Sequence, residues 1–227
     1  IAQCLVGSEM CIRDSICSML FIIPGFPFIT SGIDLAKLDM RSGLERLTYA
    51  MIIILVATMT AWIMALILHL KPNDFPSLSL TLWQHILFRL LASFCGVFGF
   101  SIMFNSPKEL AATAGILGAI ANTLRLELVD LASLPPAAAA FIGALTAGIL
   151  ASVLKSRIGY PRISLTVPSI VIMVPGLYLY RAIYNLGVMS LQTSASWFAA
   201  ALLIILALPL GLIFARILTD KTFRYCT

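Results

Sequence analysis

Long apolar stretches separated by short charged segments dominate the chain. A membrane-spanning helix needs about 20 mostly apolar residues, and seven stretches approach that length: Ile16–Ile33, Tyr49–Leu68, Leu90–Ser106, Leu110–Leu124, Leu131–Leu154, Ile163–Tyr180 and Ala195–Ala215. The third extends back to about Trp83 if Arg89 is tolerated, and the sixth continues through Arg181 to Gly187. The fourth is the shortest. The pattern predicts an all-α polytopic membrane protein with about seven transmembrane helices.

Composition agrees with this class, and the motifs exclude several others. The mean hydropathy is +1.02 and only 11% of residues are charged. The net charge of +5 comes from residues scattered among short loops, so we expect no nucleic-acid partner. We find no HExxH, GxSxG, P-loop, CxxC or histidine pair. These absences argue against an enzyme, an ATP-driven pump, a metal site and a cofactor.

The distribution of basic residues predicts the orientation in the membrane. If each stretch crosses the bilayer once, ten basic residues fall on one side: Lys37, Arg41, Arg46, Lys108, Lys155, Arg157, Arg162, Arg216, Lys221 and Arg224. The opposite loops contain Lys71, with Arg89 and Arg125 near the ends of spans. Loops rich in Lys and Arg stay in the cytoplasm. We therefore expect a cytoplasmic C-terminus.

The sixth stretch is interrupted by prolines. Pro168, Pro175 and Gly176 lie within it, and proline breaks the helical hydrogen-bond ladder. Backbone groups released in this way are tolerated in a membrane only inside protein or beside a wet cavity. The break is therefore a candidate binding site, and the alternative is a proline kink that serves packing alone.

A similar break occurs near the N-terminus. Pro24-Gly25 aligns with Pro175-Gly176, and a short polar residue follows ten positions after each proline, Asp34 and Asn185. An uncharged run of membrane length follows each copy. The predicted spans place the two copies in opposite directions across the membrane. This pattern is typical of inverted-repeat transporters, whose substrate sites lie at broken helices.

Several polar side chains near the breaks are candidates for the substrate or ion pathway. Asp34 could change its protonation during transport, or it could be a solvated acid beside Lys37. Arg181 could bind a substrate carboxylate or extend to the headgroups. Asn185 could hydrogen-bond a substrate, whereas Tyr178 fits an interfacial aromatic belt.

The fourth stretch and its flanks supply three further candidates. Asn105 precedes Ser-Pro in a turn, where a capping role is the alternative to a pathway role. Asn122 and Arg125 are three residues apart on the fourth stretch, so they could share one helix face. Small residues four apart, such as Ala144 and Gly148, predict close packing of spans four and five.

Composition also suggests boundaries along the chain. Residues 1–15 resemble translated sequencing-adapter read-through and are left out of the fold prediction. We expect residues 16–68 to form the end of one membrane domain, 69–82 a Pro- and Asn-containing linker, 83–219 a second membrane domain, and 220–227 a cytoplasmic tail.

Two groups of motifs resemble the bacterial threonine/serine exporter family. Pro24–Asp34 with Arg41–Arg46 is similar to the end of that family's first membrane domain. Gly99–Pro107, Gly115–Arg125 and Val167–Gly176 are similar to its second. The resemblance implies a secondary transporter that exports threonine and serine from the cytoplasm through the inner membrane, driven by protons.

The chain departs from the family pattern by lacking most of the first domain. Its alternative role is therefore a non-transporting membrane subunit or scaffold. Such a subunit would need a partner chain, or further copies of itself, to supply the missing helices. The expected partners are the lipid bilayer, a small amino acid and protons.

Overall fold

The computed structural model describes residues 25–67, 81–187 and 189–220, and every regular element in these ranges is an α-helix. The helices are α1 (Gly25–Ala36), α2 (Met40–Ile67), α3 (Leu82–Met103), α4 (Lys108–Asp130), α5 (Pro136–Ile158), α6 (Arg162–Val171), α7 (Gly176–Gly187) and α8 (Leu191–Thr219). The all-helical prediction is confirmed.

Five or six crossings of a membrane fit the described ranges. Helices α2, α3, α4, α5 and α8 are long and apolar enough to span one, and α6 with α7, bent by 42°, is either a broken sixth span or a re-entrant loop. The predicted count of seven is not confirmed, because the first predicted span enters the described residues only from Gly25 onward. Pro24, most of the predicted linker and the tail after Asp220 lie outside them.

Helix α4 is longer than predicted, since it continues through charged residues to Asp130. Arg89 of α3 donates to Glu127 across 2.8 Å and also contacts Asp130. Arg125 donates to a backbone carbonyl. A charged residue inside a membrane is tolerated when it is paired in this way. The helix therefore need not end at Leu124, where the apolar run ends.

Two segments of the chain repeat one structure with residue numbers 151 higher in the second copy. Helices α1 and α7 start at Gly25 and Gly176, and both have 12 residues. After each, one residue with positive φ, Leu38 (63°) or Met189 (61°), leads into a long helix, α2 or α8. The predicted internal repeat is confirmed.

The turn after each short helix is closed by matching hydrogen bonds. The Asp39 amide donates to the Asp34 carbonyl at 3.0 Å, and the Ser190 amide donates to the Asn185 carbonyl at 2.9 Å. Asp34 and Asn185 are therefore equivalent positions, as the sequence alignment predicts. In both turns the shared part is the backbone, not the side chain.

The two copies run in opposite directions. The start of α1 lies at the end of α6, where a Cβ on Gly25 would be 3.3 Å from Val171. The end of α1 lies at the start of α6, because Lys37 and Arg162 line one cavity. Since α7 continues the path of α6 after a bend, α1 is inverted relative to its repeat, α7.

The copies meet in a shared apolar core. One buried cluster contains Phe28 with Leu179, Ala50 with Ala201, and Ile54, whose equivalent Ile205 is partly buried against the cluster. The members of each pair are equivalent in the repeat, so a pseudo-twofold axis passes through this cluster. Equivalent helix contacts follow, with α1 packed on α8 and α7 packed on α2.

Small residues bring α5 and α8 close together at their contact. A Cβ on Gly148 would lie 2.5 Å from the Ala215 Cβ, and one on Gly211 would lie 2.6 Å from the Phe141 carbonyl oxygen. Such contact allows backbones to approach without a polar driving force. The small residues of span five therefore serve packing as predicted, but Ala144 and Gly148 lie against α8 and not against span four.

Candidate functional site

The backbone leaves helical geometry between α6 and α7. Pro175 has no N–H, so it cannot donate to the Val171 carbonyl four residues earlier. The Val174 amide donates to that carbonyl instead at 3.2 Å, and the Gly176 amide donates to the Val174 carbonyl at 2.8 Å. These short-range bonds tighten the chain before α7 begins at Gly176. The carbonyl of Met173 is left outside both helices.

Arg125 of α4 satisfies this carbonyl. Its Nη1 donates to the Met173 oxygen at 3.0 Å. The side chain is partly buried, and within the described ranges no carboxylate lies at ion-pair distance from it. The guanidinium has five N–H donors in a rigid planar arrangement. One donor holds the break in place, so others remain for a ligand.

A cavity of about 220 Å³ lies beside the break, and we call it the break cavity. Its lining includes Arg125, Ile204 and the segment Ile172–Tyr178. The first turn of α7 forms part of this wall. The first amides of a helix lack partners within it, and the helix dipole makes this end positive. Together with Arg125, this end gives the cavity a positive potential suited to an anionic group.

Gly25, the described residue of the first Pro-Gly motif, lies against the end of α6 and the break. A Cβ at Gly25 would lie 3.2 Å from Val174 and 3.3 Å from Val171, side chains at the end of α6 and in the break. The absence of a side chain permits this approach. Pro24 lies outside the described residues, so its own position stays a prediction.

Asp34 and Asn185 lie at the far ends of α1 and α7 and do not line the break cavity. The Asp34 carboxylate accepts a hydrogen bond from Arg46 at 2.7 Å, and its side chain is 18% exposed. The Asn185 side chain donates from Nδ2 to the Arg181 backbone carbonyl of its own helix at 2.7 Å. The two equivalent positions therefore have different side-chain environments.

Arg181 and Tyr178 both contact Trp197 of α8. The Arg181 guanidinium lies 4.8 Å from the centre of the indole ring, a cation–π distance. Tyr178 meets the same ring edge-on at 5.4 Å. Of the two candidates only Tyr178 lines the break cavity. The structure therefore places Arg181 at the α7–α8 contact, where its charge is held by an aromatic ring.

Asn122 and Arg125 have different neighbours despite their spacing. Asn122 donates from Nδ2 to Ser93 Oγ of α3 at 2.8 Å, whereas Arg125 reaches the break. The Asn122 Oδ1 is buried without a partner in the described part of the chain. Asn105 adopts a φ of 57° in the turn between α3 and α4 and is exposed. It therefore acts as a turn residue and does not line the break cavity.

Two features near the site are absent from the sequence-based candidates. The Met173 carbonyl could not be singled out, because any backbone carbonyl near a proline is equally eligible. The Arg89, Glu127 and Asp130 ion network joins α3 to α4. The sequence did contain a sign of this network, since its three charged residues interrupt or end apolar runs. The pairing itself required the two helices to be brought together.

Comparison with known families places the chain. The family model described as "Threonine/Serine exporter, ThrE" matches residues 89–218, which include Arg125 and the whole break. A second threonine/serine exporter model matches residues 12–69. The chain belongs to the threonine/serine exporter family. Members of this family are transporters, so the expectation that the protein is not an enzyme is confirmed.

One relative adds information on length. An uncharacterized protein of Haemophilus influenzae is 28% identical over 164 residues, covering 65% of this chain and 54% of the relative. The chain thus spans about half the length of the curated relative that it matches. No solved structure matches the chain.

Proposed function

We propose that the protein exports small amino acids, threonine and serine among them, across the bacterial cytoplasmic membrane. Membership of the exporter family supports the general activity. The observation that carries the proposal is the break cavity, in which Arg125 and the first turn of α7 line one wall. A volume of about 220 Å³ is below the roughly 300–1,000 Å³ of drug-sized pockets, so it suits a small ligand.

The chemistry of the cavity fits an α-amino acid. The substrate carboxylate would bind the guanidinium of Arg125 and the amides of Leu177 and Tyr178 in the first turn of α7, since the Gly176 amide already donates to Val174. The ammonium group would bind backbone oxygens of the break, where the Met173 carbonyl has a second lone pair beyond the one that accepts from Arg125. Aliphatic walls such as Ile204 would surround the side chain and favour a short one.

The inverted repeat supports an alternating-access cycle. Segments related by such a repeat can exchange conformations, which opens a central site first to one side and then to the other. Gly25 of α1 lies against the break, so movement of either repeat changes the walls near the cavity. Coupling to protons is part of the proposal, with Asp34 as the titrating group and the C-terminus in the cytoplasm.

A second candidate is a membrane subunit that binds the substrate but needs further helices to transport it. In that case a partner chain, or further copies of this one, would complete the pathway. The binding site would be the same in both cases.

Two measurements on the 227-residue chain separate these functions. Binding of labelled threonine and serine to the chain in nanodiscs tests the site, and threonine counterflow in proteoliposomes, with and without a proton gradient, tests transport. Binding with counterflow supports the exporter, and binding without counterflow supports the subunit. Absence of binding for every small amino acid would contradict both.

A further inference from the structure

A second cavity, of about 310 Å³, lies at the opposite end of α6 from the break. We call it the basic cavity. Its lining combines the end of α1, the start of α6 and the end of α8, and includes Lys37, Arg162, Arg216 and Asp220. Since helices that cross a membrane end near the water boundary, this cavity lies at the level of the lipid headgroups.

The charge around the basic cavity is positive. Arg216 Nε lies 4.0 Å from the Asp220 carboxylate, so these two charges largely offset each other. Arg162 donates to Thr219 Oγ1 at 3.0 Å and to the Gly148 carbonyl at 3.1 Å, which orients its guanidinium without neutralising it. In the described ranges neither Arg162 nor Lys37 has a carboxylate at ion-pair distance. Two positive charges therefore remain for a ligand.

The other walls are apolar. Ile33, Ile163, Leu212 and Ile213 contribute aliphatic surface, and Ile163 is 48% exposed at the edge. The cavity thus has cations and an aliphatic lining together at the level of the headgroups. A phosphate fits the cations, and the glycerol and first methylenes of a lipid fit the aliphatic walls. A free phosphate ester would use only the cations.

We infer that the basic cavity binds an anionic phospholipid, with the lipid phosphate between Arg162 and Lys37. Basic pockets between transmembrane helices are known to hold such headgroups. The site is separate from the break cavity and does not depend on the proposed transport. Its structural effect is to hold the ends of α1, α6 and α8 together.

Native mass spectrometry of the full chain tests the inference. The chain would be released from nanodiscs that contain phosphatidylglycerol and phosphatidylcholine, and the lipids retained would be identified. We expect one phosphatidylglycerol in preference to phosphatidylcholine. Lys37→Gln should weaken its retention about fivefold, the size of effect expected for one basic residue near an anionic surface. Arg162→Gln should weaken it at least as much.

A matched control is Arg41→Gln, because Arg41 is exposed and paired with Glu45 at 3.2 Å outside the cavity. Retention in this variant should equal that of the wild type. Lys37 makes no hydrogen bond through its side chain in the described structure, so its variant remains informative if Arg162→Gln fails to fold. Equal retention of both lipids, or equal loss in Arg41→Gln, would overturn the inference. Displacement of phosphatidylglycerol by equimolar glycerol phosphate would overturn it too, in favour of a soluble phosphate ester.

Discussion

Replacing Arg125 by glutamine should weaken threonine binding by about 10- to 150-fold. The guanidinium lines the break cavity and uses one donor on Met173, so the remaining donors are the cationic partners available to a carboxylate there. A hydrogen bond to a charged group contributes about 1.5–3 kcal/mol, which corresponds to this range of affinity. Arg125→Lys keeps the charge but loses the planar donor arrangement, so its affinity should be intermediate.

The same substitution has a structural cost that must be separated from binding. Removing Arg125 leaves the Met173 carbonyl without its partner, and an unsatisfied buried group costs about 1–3 kcal/mol. The assay is therefore saturation binding of labelled threonine to nanodiscs, normalised to the folded fraction measured by circular dichroism. Affinity within twofold of the wild type in Arg125→Gln would refute the carboxylate role and leave Arg125 as a support for the break.

Two other predictions concern the repeat and its packing. Gly211→Ala should destabilise the bundle by about 1–3 kcal/mol, since its Cβ would lie 2.6 Å from the Phe141 oxygen. At Gly99 an added Cβ would meet nothing within 4 Å, so Gly99→Ala should instead stabilise the bundle by about 0.5–1 kcal/mol through the higher helix propensity of alanine. Equal thermal unfolding midpoints of the two variants in micelles would contradict this packing. Asp34→Asn should abolish the response of threonine counterflow to a proton gradient while exchange continues, whereas an unchanged response would limit Asp34 to its pair with Arg46.

Local patterns in the sequence were sufficient for the helices and the repeat. An apolar run of membrane length has to form a helix, because backbone groups in lipid can be satisfied only within the segment. The equivalence of Pro24-Gly25 with Pro175-Gly176, and of Asp34 with Asn185, follows from spacing alone. The structure adds that Leu38 and Met189 adopt the same left-handed backbone conformation in the two equivalent turns. The end of α4 could not be read in this way, since Glu127 is acceptable only beside Arg89.

The candidate site shows where sequence reasoning ends. A polar residue on a membrane helix is expected to face protein, but which protein surface it faces depends on helices distant in the chain. Arg125 reaches Met173, 48 residues away, while Asn122 turns to Ser93 and Arg181 stacks on Trp197. The basic cavity likewise forms from helices that are distant in the chain.

The sequence by itself therefore determined the membrane class, the family and the internal repeat, because these depend on composition and spacing along one chain. Only the tertiary structure decided which polar groups share a cavity. Charges as distant in sequence as Lys37, Arg162 and Arg216 line one cavity because α1 and α8 end where α6 begins. Packing of helices against each other, and not local propensity, sets that arrangement.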